Sequence, residues 1–237
     1  MSLLTIVQSH CRIHALNIPT SVLGNTDVTI GQILGLVNEL VEDVVDTSKF
    51  QAFTREALFT TTAAEDQGAM TTLAPNGYLW ANNETFYDRT LRRPVYGPIN
   101  DNEWQALKAI PNPGPFYKYR IRGDHLLLNP VPSTPFSQIA FEYASSYGVN
   151  SIGGVGQASF IADTDVSLLP EKIIKKGLSF RWKRLKGLPY QGDESDYYKL
   201  LNSYIAKDGT KRQYDLASGN SNMIKPGIFV PSGNWFN

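Results

Sequence analysis

The sequence predicts an α+β protein: a helical bundle from N- and C-terminal helices, a central strand-rich insertion, and an extended C-terminal tail. Three observations carry this. Apolar residues recur at helical spacing near both ends of the chain, whereas in the middle they alternate with polar ones. The closing residues mix prolines and small polar residues with large apolar side chains. The expected boundaries are a bundle over residues 1–50 and 165–213, an insertion over 51–164, and a tail over 214–237.

The first helix is expected over 3–16. Leu3, Leu4, Val7, Cys11 and His14 fall at helical spacing, with Ser2 as N-cap, and Asn17-Ile18-Pro19 breaks the run. The second, over 28–45, places Ile30, Ile33, Leu34, Val37, Leu40, Val41 and Val44 on one face and leaves Glu39, Glu42 and Asp43 outside. Gly31 and Gly35 weaken that helix in isolation, so they are expected where a neighbouring helix approaches closely. Late in the chain, Pro170 and Glu171 open a helix that carries Ile173, Ile174, Gly177, Leu178, Arg181, Trp182 and Leu185. Gly187-Leu188-Pro189 ends it. A last helix over 194–207 turns Tyr197, Leu201, Tyr204 and Ile205 inward and stops at Gly209.

Strand formers cluster at Ala57 and Phe59-Thr60-Thr61-Thr62, and Gly68, Pro75 and Gly77 punctuate the next segment. A strand is expected over 84–88, a turn at Arg92-Arg93-Pro94, an extended piece over 95–98 and a short helix over 102–109. The clearest hairpin spans 116–129: Tyr117, Tyr119 and Ile121 alternate with Lys118, Arg120 and Arg122 before Gly123-Asp124 reverses the chain. Glycine in first place suggests a type II′ turn. Ile139, Phe141 and Tyr143 alternate with Ala140, Glu142 and Ala144 in a further strand.

The tail reads differently from a solvated linker. Ser218-Gly219-Asn220-Ser221-Asn222 is a flexible link, but Met223-Ile224-Lys225-Pro226-Gly227-Ile228-Phe229-Val230-Pro231 and Trp235-Phe236 are not. The prolines forbid a helix and favour an extended course. Such a segment needs a groove, on its own domain or on a partner.

Bulk properties narrow the function. Among 237 residues, Lys+Arg and Asp+Glu balance at 22 each, whereas a duplex-binding protein normally shows a basic excess. No apolar run is long enough for a membrane helix, the start lacks a secretory signal, and the single Cys11 excludes an internal disulfide, in keeping with a reducing cytoplasm. His10 and His14 stand four apart, but Cys11 occupies the place where a zincin motif needs glutamate, so packing or exposure explains them; His125 is solitary. Gly153-Gly154-Val155-Gly156 has Ser159 where a phosphate loop needs glycine and is a plain loop. Asp163-Thr164-Asp165 lacks the further ligands of a calcium loop and is expected to form a turn or to cap the helix after Pro170. Adjacent carboxylates at Glu65-Asp66 do not make an acid/base couple by themselves. Arg89, Arg92 and Arg93 form the densest basic spot outside the helices: turn residues paired with nearby acids or solvated, or contacts to an acidic partner surface or to passing DNA.

Several stretches, in order, carry a resemblance. They are Phe53-Thr54-Arg55-Glu56-Ala57-Leu58-Phe59-Thr60-Thr61, Glu65-Asp66-Gln67-Gly68-Ala69-Met70, Tyr87-Asp88-Arg89-Thr90-Leu91-Arg92-Arg93-Pro94-Val95-Tyr96-Gly97-Pro98 and Glu103-Trp104-Gln105-Ala106-Leu107-Lys108. Tyr119-Arg120-Ile121-Arg122-Gly123, Phe141-Glu142-Tyr143, Ala162-Asp163-Thr164-Asp165 and Arg181-Trp182-Lys183-Arg184-Leu185-Lys186-Gly187-Leu188 continue it, so that it covers residues 3–213. Together they resemble the podovirus-type bacteriophage head-to-tail adaptors.

That resemblance implies a structural virion protein, made in the host cytoplasm and assembled in the virion neck as a dodecameric ring beneath the portal protein. Such a ring extends the DNA channel, lets duplex DNA pass without tight binding, and offers a platform to the tail nozzle or tube protein and to fibres. It implies a portal-docking tail, with Ile224, Pro226, Ile228, Phe229, Val230, Trp235 and Phe236 as the contact residues. Arg89, Arg92 and Arg93 are expected at subunit or portal contacts. No catalytic residue, cofactor, metal or membrane is expected. The rivals are another connector or nozzle ring, and a tail-tip polymer hydrolase resting on Glu65, Asp66, Asp163 and Asp165.

Overall fold

The computed structural model describes residues 1–109 and 114–208. Two helices open the chain, α1 (Leu3–Ile13) and α2 (Val28–Thr47). Each starts at a side-chain cap: Ser2 accepts from the Thr5 amide, and Asp27 accepts from the Thr29 amide. A 3-10 turn (Gln51–Phe53) leads into β1 (Thr54–Thr60), followed by β2 (Asp66–Ala69), α3 (Met70–Leu73) and β3 (Tyr78–Ala81). Short strands β4 (Tyr87–Asp88) and β5 (Arg93–Pro94) precede α4 (Asp101–Ala109). Then come β6 (Lys118–Arg122), β7 (His125–Asn129), β8 (Gln138–Ser145), β9 (Val149–Asn150), β10 (Gly156–Gln157) and β11 (Val166–Ser167). The chain returns to helix in α5 (Glu171–Leu185) and α6 (Gln191–Asp208). The expected mixed α+β class is thus observed, with six α-helices among the described residues.

Residues of α1, α2, α5 and α6 share one hydrophobic core with Val22, Phe50, Phe53, Val149, Phe160 and Leu169. Helical periodicity decides which side chains enter it: Ile30, Ile33, Val37, Leu40, Val41 and Val44 of α2 are buried, as their spacing requires. Each such side chain contributes about 1.5–3 kcal/mol when fully buried. The close approach expected at Gly31 and Gly35 occurs elsewhere. A methyl group at either would meet open space, because both lie on the exposed side of α2. At Gly177 in α5 it would lie 2.6 Å from Leu40 and 2.8 Å from Tyr197, so that glycine lets α2 and α6 close on α5. Arg181 reaches Glu39 at 2.9 Å and also pairs with Asp43, tying α5 to the polar side of α2.

The strands form antiparallel sheets. The five-stranded sheet runs β1-β8-β4-β5, with β3 also on β8; a second runs β2-β7-β6, and a small third runs β10-β9-β11. Between the first two lies a second core in which Phe86 stacks on Phe141 at 4.5 Å and on Tyr119 at 3.9 Å. The β6–β7 hairpin is where alternation places it, but its turn is of a different type. Gly123 and Asp124 have φ of 58° and 65°, and two positive values define type I′, so aspartate takes a left-handed position. The strand expected over 84–88 shrinks to Tyr87–Asp88, because Glu84 has φ of 67° and breaks the extended course.

Asp163 and Asp165 do not cap α5. The Asp163 carboxylate accepts from the amides of Val22 and Leu23, at 3.1 and 2.9 Å, while its carbonyl accepts from Leu4. Asp165, buried, closes the turn before it by accepting from Ile161 and Ala162 at 2.8 and 2.7 Å, and its carbonyl accepts from Leu3. The first amides of α1, orphaned by helix geometry, are thereby satisfied from the other end of the chain.

Candidate functional site

Directly opposed residues in a sheet share a face. Ala57↔Phe141 and Phe59↔Ile139 face the second core, whereas Thr54↔Ala144, Glu56↔Glu142, Leu58↔Ala140 and Thr60↔Gln138 face away from it. Tyr87, opposed to Ala140, joins that outer face. Leu58 there is 50% exposed, an apolar side chain left uncovered. Beyond Thr54 the face runs into a cleft of about 530 Å³ lined by Ser48, Lys49, Phe50, Gln51, Phe53, Thr54, Asn82, Glu142 and Ala144. The cleft therefore sits where the end of α2 and the 3-10 turn meet the sheet. Its rim is fixed by α6: the Gln51 amide donates to the Asp208 carboxylate at 2.6 Å, and the Gln51 side chain donates to the Asp208 carbonyl at 2.8 Å.

Two backbone features matter at this face. β1 is seven residues long and, among the described residues, pairs with β8 alone, so its other edge presents unpaired amides and carbonyls. Glu142, in the cleft, has no ion pair among the described residues, whereas Glu56 is already paired with Arg89. A half-polar, half-apolar cleft next to a free edge suits an extended peptide, with backbone hydrogen bonds along β1 and a side chain in the cleft.

The three arginines are not brought together. Arg89 crosses β8 to pair with Glu56 of β1, both about half exposed. Arg93 donates to the Pro115 carbonyl at 3.3 Å and lies over the Phe116 ring at 5.8 Å. Arg92 stands at a turn with φ of 54°, where its carbonyl accepts from the Tyr87 hydroxyl. Among the described residues, Arg89 alone of the three has the nearby acid that the turn reading expects. The tail residues Ile224, Pro226, Ile228, Phe229, Val230, Trp235 and Phe236 lie outside the described residues.

The carboxylates of the hydrolase reading are held by separate partners. Glu65 pairs with Lys108 at 2.8 Å, and Asp66 meets His125 at 2.9 Å, a hydrogen bond that lowers the Asp66 carboxyl below its ordinary range. Asp163 and Asp165 are bonded to backbone amides. The rings of His10 and His14 lie 4.4 Å apart and tilted by 41°, and His10 also meets Trp182 edge-on at 5.5 Å. His10 is buried, its Nε2 has no hydrogen-bond partner, and burial, with His14 alongside, pushes its pKa down to about 4. Burial, followed by Lys183, also lowers His14, whose Nε2 lies 3.3 Å from Ser179 Oγ; Asp193 opposes that shift. Among the described residues no three His, Cys, Asp or Glu side chains gather as a metal would need.

Sequence reasoning missed the cleft. Its lining comes from three segments far apart in the chain, none with a local signature, and only the unpaired charge of Glu142 marks it once the fold is known. No described helix is long and apolar enough to cross a membrane. Compared with known proteins, the chain matches no protein-family model and no curated relative.

Proposed function

We propose that this chain is a structural virion protein, a head-to-tail adaptor subunit that assembles as a ring beneath the portal, extends the DNA channel and supports the tail nozzle and fibres. The observation that carries the reading is the ordered run of adaptor-like stretches through residues 3–213. In this reading α1, α2, α5 and α6 are the helical bundle of the adaptor architecture, and the sheets between α2 and α5 are its insertion. The balanced charge favours a conduit over a DNA-holding protein. Ring contacts are heterologous, since only head-to-tail geometry closes a cycle of more than two copies, and many modest contacts add through effective concentration. The tail anchors the ring to the portal through Ile224, Pro226, Ile228, Phe229, Val230, Trp235 and Phe236.

Native mass spectrometry of the purified chain, alone and mixed with portal rings from the same phage, tests this. Addition to the portal as a stoichiometric ring is the expected result. A chain that leaves the portal mass unchanged overturns the reading.

A further inference from the structure

We propose that Asn76-Gly77 is a site of spontaneous covalent modification: in the folded protein Asn76 loses its side-chain amide and becomes aspartate or isoaspartate, and the isoaspartate form releases β3 from β8. The idea stands on the turn between α3 and β3, and it holds whatever partner the chain meets.

The pair is singular in sequence and open in the fold. Nowhere else among the 237 residues does glycine follow asparagine. Glycine has no Cβ, so it leaves its own amide nitrogen accessible and lets the backbone turn freely around it. Pro75 and Asn76 are both exposed, so water reaches the turn. The Gly77 amide donates to no acceptor among the described residues, which leaves its nitrogen uncommitted. The Tyr143 hydroxyl meets both the backbone and the side chain of Asn76, which keeps that side chain close to the turn. Other asparagines are placed differently. The side chains of Asn25, Asn38 and Asn100 are bonded to the backbone of Ser21, Phe160 and Glu103, and the residue after each carries a side chain of its own.

The chemistry needs water alone. The Gly77 nitrogen attacks Cγ of Asn76; an N–Cγ bond forms and the Cγ–Nδ2 bond breaks. Nδ2 leaves as ammonia, carrying the proton that the Gly77 amide gives up. Water then opens the cyclic imide at either carbonyl. Opening at the side-chain carbonyl gives aspartate on the original path. Opening at the main-chain carbonyl gives isoaspartate, whose backbone runs through Cβ and Cγ and is longer by a methylene, with the former main-chain carbonyl left as a carboxylate.

The fold both requires this glycine and is sensitive to its loss of register. Gly77 has φ of 69°, and a Cβ there would lie 2.6 Å from Ser146 Oγ and from the Tyr147 ring, so no side chain can take its place. The two carbonyls of the pair are held by the end of β8: Asn76 accepts from Ser145 Oγ at 2.6 Å, and Gly77 accepts from the Ser146 amide at 2.7 Å. Isoaspartate converts the first acceptor into a free carboxylate and displaces the second along the chain. The next residue, Tyr78, is where β3 joins Ser145, and the register already shifts between Tyr78 and Trp80. β3 is also a bridge. Leu79 packs against the core of the helical bundle, whereas Tyr78 and Ala81 pack against the core between the sheets. Freeing β3 therefore loosens the joint between the two cores.

Ageing the full chain at mildly alkaline pH, both native and urea-unfolded, tests the proposal, with peptide mass spectrometry to locate amide loss and an Asn76→Gln variant as control. In the native protein, Asn76 is expected to convert at least about tenfold faster than any other asparagine. Hydrogen exchange of the aged wild type should be at least about tenfold faster over residues 78–81, while α1 amides keep their protection and the aged Asn76→Gln variant is unchanged. Asn76 that stays intact in the native protein while converting in the unfolded chain overturns the proposal, because the fold then shields the pair. Conversion that leaves exchange over 78–81 unaltered overturns the release of β3.

Discussion

At the scale of single residues, Asp165 and His10 carry opposite kinds of electrostatic cost. Asp165 is buried, yet its carboxylate accepts two amides, so its charge is satisfied. Replacing it with alanine strands both donors, and the expected loss is about 1–3 kcal/mol in chemical denaturation. His10 is buried without a partner and is held neutral, with its pKa lowered to about 4 from the ordinary 6.5. The unfolded chain therefore takes up a proton that the native chain refuses. Stability contributed by neutral His10 is complete above pH 6.5 and is lost as pH falls from 6.5 towards 4. His14, shifted the same way, adds to the slope. Unfolding free energy should fall by a few kcal/mol across that window, and a His10→Gln variant should flatten the decline.

At the scale of elements, the glycines separate what periodicity can say from what packing decides. Gly31→Ala and Gly35→Ala should each stabilise the protein by about 0.5–1 kcal/mol, since open space surrounds them and alanine is the better helix former. Gly177→Ala should cost about 1–3 kcal/mol, because the new methyl meets Leu40 and Tyr197. Thermal unfolding of the three variants distinguishes the two signs. Much of the element pattern was legible: α2, α4, α5 and the β6–β7 hairpin lie within a few residues of where spacing, proline and glycine put them. What stayed hidden was non-local. β2 and β3 are short and have little alternation of their own, so pairing with β7 and β8 is what makes them strands. Gly31 and Gly177 look alike in sequence, and only the placement of α5 between α2 and α6 tells them apart. The same is true of the carboxylates: Asp163 reads as a turn former or cap, and its bonds to Val22 and Leu23 depend on a fold-wide return of the chain.

At the scale of the whole molecule, assembly is the function to be tested. Ending the chain after Gly219 removes every tail residue assigned to portal contact and should abolish stable portal association in native mass measurements; undiminished association would remove the tail from the adaptor reading. Reversing Arg92 and Arg93 to glutamate should weaken ring formation, read as a loss of the full ring mass. Helices from the two ends of the chain share one core, and the amide of Leu3 is bonded to the carbonyl of Asp165. That closure sets an order of events on the ribosome. α1 and α2 are synthesised before everything between Thr47 and Glu171, and their apolar stripes must wait for α5. The two larger sheets, whose pairings lie between β1 and β8, can form in that interval, so the nascent protein is finished from the middle outwards, and its first helices are the last to be sheltered.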